Sequence, residues 1–254
     1  MIVRIIGGHG GVSPGFRATS YLIDGKLLID AGSVASGLQI NEQVLIDNIL
    51  ISHSHLDHVC ELAYLSDNCF GLKDKPFEIH TTKVAMDNVR KHLLNDEIWP
   101  DFSKLPNKEK PTIRFNEIQS EKTFQLGEYK ITPVPVNHPA GGHGFIIEKR
   151  NSQIVFTQDT GPTDRIWELA HKLTHLKAIF TEVSFPNKLQ KVADDSFHHT
   201  PNSINEEIKK MPVDVPIFLG HLKPNYQTEL FQEIDALKND RISLFGSDDT
   251  QFVF

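Results

Sequence analysis

The sequence predicts an α+β protein in which two mixed β-sheets pack face to face with helices on the outside. Three observations point there. Short β-branched or apolar runs alternate with amphipathic stretches. Strands dominate the first half and helices join later. Several apolar runs stop abruptly at a single His or Asp where a turn begins.

Taken in order, the expected strands are Ile2–Ile6, Thr19–Ile23, Lys26–Ile29, Asn48–Ile51, Phe77–His80, Tyr129–Val136, Gly144–Glu148, Gln153–Phe156, Ala178–Glu182, Pro216–Gly220 and Ile242–Leu244. The expected helices are Asp57–Ser66, Thr82–Leu94, Asp164–Leu173, Pro201–Met211 and Tyr226–Leu237. Thr200-Pro201 is a strong helix opening, with a hydroxyl to cap free amides and a proline pre-set for the first turn. Residues 1–254 read as one domain, with a proline-rich, charged excursion at 95–111 that is either a surface loop or a substrate-side flap.

Composition narrows the function. With 39% hydrophobic and 23% charged residues the chain is an ordinary globule, and no apolar stretch approaches the roughly 20 residues that span a bilayer. The N-terminus lacks the basic-then-apolar pattern of a secretory signal. Cys60 and Cys69 form no Cys-x-x-Cys pair and read as free thiols of a cytoplasmic protein. A net charge of −7 argues against a nucleic-acid polymer as partner, but bound cations could still admit a small anionic substrate.

The densest chemistry lies at Ile49–His58, an apolar run ending in His53, His55, Asp57 and His58. Imidazole and carboxylate are preferred ligands of zinc and similar ions. Period-two alternation puts His53 and His55 on one side, while Asp57 and His58 fall where a turn or helix begins. One loop could thus serve two ions. His138, Asp159 and His221 each end another apolar strand and are the candidates to complete the set.

These residues resemble the metallo-β-lactamase fold, an αββα four-layer sandwich carrying a two-metal hydrolytic site. The resemblance is closest to the class II 3′,5′-cyclic-nucleotide phosphodiesterases. It rests on Ile51-Ser-His-Ser-His-Leu-Asp-His-Val, Gln158-Asp-Thr-Gly-Pro, Glu182-Val-Ser-Phe-Pro-Asn, His198-His-Thr-Pro and His221-Leu-Lys-Pro, with Gly7-Gly-His-Gly-Gly and Leu28-Ile-Asp-Ala-Gly before them. Two positions depart from the family pattern. Cys60-Glu61 stands where a small residue is expected, and Ser196-Phe197-His198 where Ser-Gly-His is common.

The resemblance implies that His53, His55 and His138 hold one divalent ion and Asp57, His58 and His221 another, with Asp159 bridging. Zinc suits the nitrogen-rich set first, and manganese or iron could also fill it. A hydroxide between the ions would attack cyclic AMP or cyclic GMP and leave a 5′-nucleotide. Asp57, Glu182 and His198 are the catalytic candidates. Glu182 orients His198, which donates a proton to the leaving oxygen, and His199 is the rival donor. A homodimer is left open.

Other signals carry less. Gly7-Gly-His-Gly-Gly leads into a strand rather than a helix, so it reads as a tight turn with His9 near the mouth. His143 could touch substrate or be a loop residue, and His171 and His175 read as a solvated helix face. Lys223 and Asn187 could position loops or phosphate. The rival enzymes are a tRNA 3′-processing endonuclease, disfavoured by the acidic balance, and a β-lactam or thioester hydrolase. A binding protein with one structural metal would need only four ligands, fewer than the seven candidates.

Overall fold

The computed structural model describes residues 1–245 and 249–254. Its strands are β1 (Ile2–Gly7), β2 (Ser20–Ile23), β3 (Leu27–Ile29), β4 (Asn48–Leu50), β5 (Phe77–Thr81), β6 (Ile113–Glu117), β7 (Phe124–Leu126), β8 (Tyr129–Pro135), β9 (His143–Lys149), β10 (Ser152–Phe156), β11 (Leu176–Glu182), β12 (Ile217–Gly220), β13 (Ile242–Leu244) and β14 (Gln251–Val253). The helices are α1 (Val34–Gly37), α2 (Ile40–Gln43), α3 (Leu56–Val59), α4 (Leu62–Asn68), α5 (Lys83–His92), α6 (Arg165–Ala170), α7 (Gln190–Ser196), α8 (Pro201–Ile208) and α9 (Gln227–Asp235).

Two mixed sheets result, ordered β14-β1-β2-β3-β4-β5-β6 and β13-β12-β11-β10-β9-β8-β7. Each follows one plan. In the first sheet β14, β1, β2 and β3 pair antiparallel, and β3 to β6 run parallel. In the second, β7 to β10 are antiparallel and β10 to β13 parallel. The carboxyl ends of parallel strands are where open α/β sheets place ligands, because loops there are free to vary over a fixed frame.

Alternation along the strands makes three apolar layers. Ile154 and Phe156 of β10, and Ala178 and Phe180 of β11, face the other sheet. Val155 and Ile179 between them face α6, α8 and α9, packing with Trp167, Ile204 and Leu230. On the other side Leu28, Ile49 and Ile79 pack under α1, α4 and α5 with Val34, Leu62 and Val89. The layers are helix, sheet, sheet, helix, as the residue patterns predict. Among the described residues no helix is long and apolar enough to cross a membrane.

Several elements differ from the sequence expectation. β6, β7 and β14 are short or half-exposed, and β6 and β14 flank the first sheet and β7 the second, so they carry little of the alternating pattern that marks a buried strand. α1 and α2 are single turns, and α7 is mostly polar. The helix expected over 57–66 divides into α3 and α4 at Cys60-Glu61. There the Glu61 carboxylate accepts from the Ala35 and Ser36 N–H groups at 2.6 and 2.9 Å, satisfying the free amides of α1. The departure at Glu61 thus has a structural use. In the 95–111 stretch Phe102 is buried and Trp99 and Leu105 pack against the outer core. It then enters β6 at Ile113, opposite Phe77, at the end of β5 remote from Thr81.

Candidate metal centre

The ligand-type side chains meet where strands of both sheets end. β4 stops at Leu50, residues 51–55 lack regular structure, and His55, itself extended, caps α3, which carries Asp57 and His58. His138 follows β8, Asp159 follows β10 and His221 follows β12. Two constellations form: His53, His55, His138 and Asp159, and Asp57, His58 and His221. Within each, one ligand atom per residue lies within 4.8 Å of all the others. Asp159 Oδ2 sits between them, 3.7 Å from His53 Nε2, 4.0 Å from His138 Nε2, 3.2 Å from His58 Nε2 and 3.1 Å from His221 Nε2.

The outer nitrogens of the rings are fixed from behind. Nδ1 of His58 meets Asp30 Oδ2 at 2.7 Å, Nδ1 of His53 meets Ser52 Oγ at 3.0 Å, Nδ1 of His221 meets Thr19 Oγ1 at 3.0 Å, and Nδ1 of His138 meets the Phe197 carbonyl at 3.1 Å. Partners of this kind set the tautomer and aim Nε2 at an ion. The Nε2 atoms of His53, His58 and His221 are buried and, apart from the nearby Asp159 carboxylate, meet no hydrogen-bonding group. Three orphaned imidazole nitrogens around one carboxylate would be costly in a neutral core. They fit divalent cations, whose ligands must be deprotonated nitrogens and carboxylates at short range.

Electrostatics agree. Burial alone would raise the Asp159 pKa, but His221 and His58 outweigh it and hold the carboxyl well below its usual range. Burial would depress His58, yet Asp159 and Asp30 on either side push it well above the ordinary imidazole value. Burial and the neighbouring His58 charge drive His53 well down, and burial takes His138 down to about 4. Adjacent groups thus shift in opposite senses, because so tight a cluster cannot take up protons independently.

A β-lactamase superfamily domain matches residues 26–221, from the strand that leads into Asp30 through His221. The chain belongs to the β-lactamase superfamily. Over 89% of its length it is 29% identical to a probable 3′,5′-cyclic-nucleotide phosphodiesterase of Yersinia pestis, covering 79% of that protein. Among solved structures, unliganded yeast PDE1 superposes with a TM-score of 0.80 at 16% identity over 98% of both chains. The short form of human tRNase Z superposes with a TM-score of 0.70 at 18% identity over 100% of this chain and 99% of that one. At such identities the two structures speak for the fold.

Beside this superfamily centre the structure places Glu182, at the end of β11, and His198, just beyond α7. His198 Nδ1 meets Glu182 Oε1 at 2.9 Å, and both residues are buried. Burial would lower the His198 pKa, but the Glu182 carboxylate outweighs it and the net shift is upward. His198 also lies in one compact group with Asp159 and His221. His199 points elsewhere. Its Nδ1 meets Ser203 Oγ at 3.0 Å within the α8 cap, and burial lowers its pKa.

The sequence gives no role to Asp30, and the structure does. Asp30 is fully buried and its carboxylate accepts from the Ser52 N–H and Oγ, both at 2.8 Å, and from Gln158 Nε2, besides holding His58. Its one signal was the string Asp30-Ala-Gly closing a strand, which Asp159-Thr-Gly repeats in the second half. The glycine-rich Gly7–Gly11 segment is a close-approach surface as well as a turn. A Cβ on Gly10 would stand 2.7 Å from the His221 carbonyl oxygen and 2.8 Å from Nε2 and Cδ2 of its ring, so the backbone there passes too close to His221 for any side chain. His143 fits neither expectation. It opens β9 with one nitrogen 2.7 Å from the Gly141 carbonyl and the other 2.7 Å from Ser120 Oγ. His171 and His175 form no helix-face pair, since α6 ends at Ala170 and His171 caps it with Nε2 on the Lys210 carbonyl.

Proposed function

We propose that the chain hydrolyses 3′,5′-cyclic nucleotides to 5′-nucleotides with two divalent metal ions. In this reading His53, His55 and His138 hold one ion and Asp57, His58 and His221 the other, with Asp159 shared between them. The observation that carries it is the ring of orphaned Nε2 atoms about Asp159, set beside the buried Glu182–His198 pair. The nitrogen-rich donor set favours zinc, and manganese or iron could also satisfy it. When bound, such ions supply positive charge for a phosphoryl oxygen and lower the pKa of water.

The protein's own residues do the rest. A water that gives up its proton to solvent forms a bond from its oxygen to phosphorus, the P–O3′ bond breaks, and the leaving 3′ oxygen takes up a proton. With Nδ1 engaged by Glu182, His198 has Nε2 free to donate it, and Glu182 stabilises the charged imidazole beforehand. Ser184 Oγ, 2.7 Å from Glu182 Oε2, fixes the other carboxylate oxygen. The cyclic-nucleotide substrate is supported by the relatives' printed activity and by the net charge of −7, which suits a small ligand better than a polyanion.

The test is a hydrolysis panel of cyclic AMP, cyclic GMP, a cyclic dinucleotide, precursor tRNA and a β-lactam, with elemental analysis of the same protein. Turnover of the cyclic mononucleotides with about two ions per chain is expected. Cleavage of precursor tRNA with none of cyclic AMP or cyclic GMP would replace this reading by the processing endonuclease.

A further inference from the structure

Phe197 adopts a backbone conformation that costs it energy. It caps α7 in the left-handed region at φ +58°, a position that favours glycine because a Cβ crowds the following carbonyl. The residue is also 41% exposed, so the strain is not offset by a place in the core. Bulky residues held this way cluster where a ligand is met.

Its backbone is built into the rim of the site. The Phe197 carbonyl receives His138 Nδ1, its Cα lies against Gly161 of the loop that carries Asp159, and the next residue is His198. Phe185 already meets the His198 ring edge-on at 5.8 Å, with the Lys223 ammonium 5.8 Å from the Phe185 ring centre. That flank of His198 is filled. On the first half's side of the mouth Leu56, between His55 and Asp57, is 67% exposed.

We propose that Phe197 is a specificity-determining residue whose ring stacks on the base of a nucleotide while its phosphate lies at the metal centre. The proposal rests on the nucleotide reading above. A purine or pyrimidine offers a flat π face, and base–aromatic stacking is tolerant of which base is present. Selectivity would fall between nucleotides and base-free phosphates more than between adenine and guanine.

Calorimetric binding of AMP and of ribose 5-phosphate to the zinc-loaded chain tests it. The wild type should bind AMP about tenfold or more tighter than ribose 5-phosphate. F197G should erase that gap by weakening AMP alone, and F197W should keep it. The F197G melting temperature should stay level or rise by about 2–4 °C, because glycine relieves the left-handed strain. A gap absent in the wild type or surviving in F197G would overturn the inference. So would a fall in Tm beyond about 5 °C, which would make Phe197 a packing residue. Failure to hydrolyse cyclic AMP would defeat the proposed function instead, and the binding gap would still be read.

Discussion

The two halves of the chain share one strand plan and equip the site in opposite ways. The first half sends His53, His55, Asp57 and His58 from the one stretch that leaves β4 and enters α3, braced underneath by one carboxylate, Asp30. The second half sends single residues from separate loops: His138, Asp159, Glu182, His198 and His221. Their supports are separate too, including Thr19, the Phe197 carbonyl and Ser184. A clustered motif concentrates both geometry and vulnerability, whereas a distributed one divides them. The first half resembles a preformed clamp, and in the proposed reaction the second would supply the shared carboxylate and the proton.

The contrast breaks most sharply at Asp159. D159A should abolish turnover and reduce metal content from about two ions to about one, read by elemental analysis, because that carboxylate lies within 4.0 Å of histidines from both constellations. Full activity with two ions would remove the bridging role.

Next in size is H198A. Loss of a general acid costs about 10²-fold or more on cyclic AMP, whose 3′ oxygen is a poor leaving group, and little on bis(4-nitrophenyl) phosphate, whose leaving group needs no proton. Equal losses on both would argue that His198 only binds.

The supports sharpen the comparison further. D30N withdraws a partner from His58, Ser52 and Gln158 together, so metal affinity should fall about 10–100-fold in a chelator competition. T19V touches His221 alone and should cost less than D30N. The reverse order would mean that the first half is not braced through one group.

The smallest effect is on stability. His80 in β5 is stacked on Phe124, with Nε2 2.9 Å from Asn48 Oδ1, and burial pushes its pKa down to about 4. The unfolded chain binds a proton there near pH 6.5 that the folded one refuses. This contribution is complete above that pH and declines as the pH falls toward 4. H80N should flatten the fall in urea midpoint between pH 7 and pH 5, and an unchanged slope would locate the acid sensitivity elsewhere.

The difference between the halves also governs what could be read without coordinates. Four ligand-type residues within His53–His58 announce themselves because they are contiguous. His138, Asp159 and His221 are single letters at strand tips, candidates by that position, and resemblance to known motifs divides them between two ions. The buried strands were legible through alternation of the Ile154-Val-Phe156 kind. The edges β6, β7 and β14 were not, since a half-exposed strand loses that rhythm. Asp30 stayed hidden because a buried carboxylate serving other side chains looks like any polar residue after a strand. The left-handed backbone at Phe197 was likewise invisible, although the substitution itself was not.

The last strand belongs to the opposite sheet from its chain neighbours. β14 leaves the half that built the second sheet and pairs with β1, Ile2 opposite Val253. A nick in the 119–123 linker would therefore yield two fragments, each with a greasy face uncovered, and the C-terminal piece would still own one strand of the other's sheet. Neither should accumulate in soluble form alone, and co-expression of both should restore a single enzyme held together by that latch.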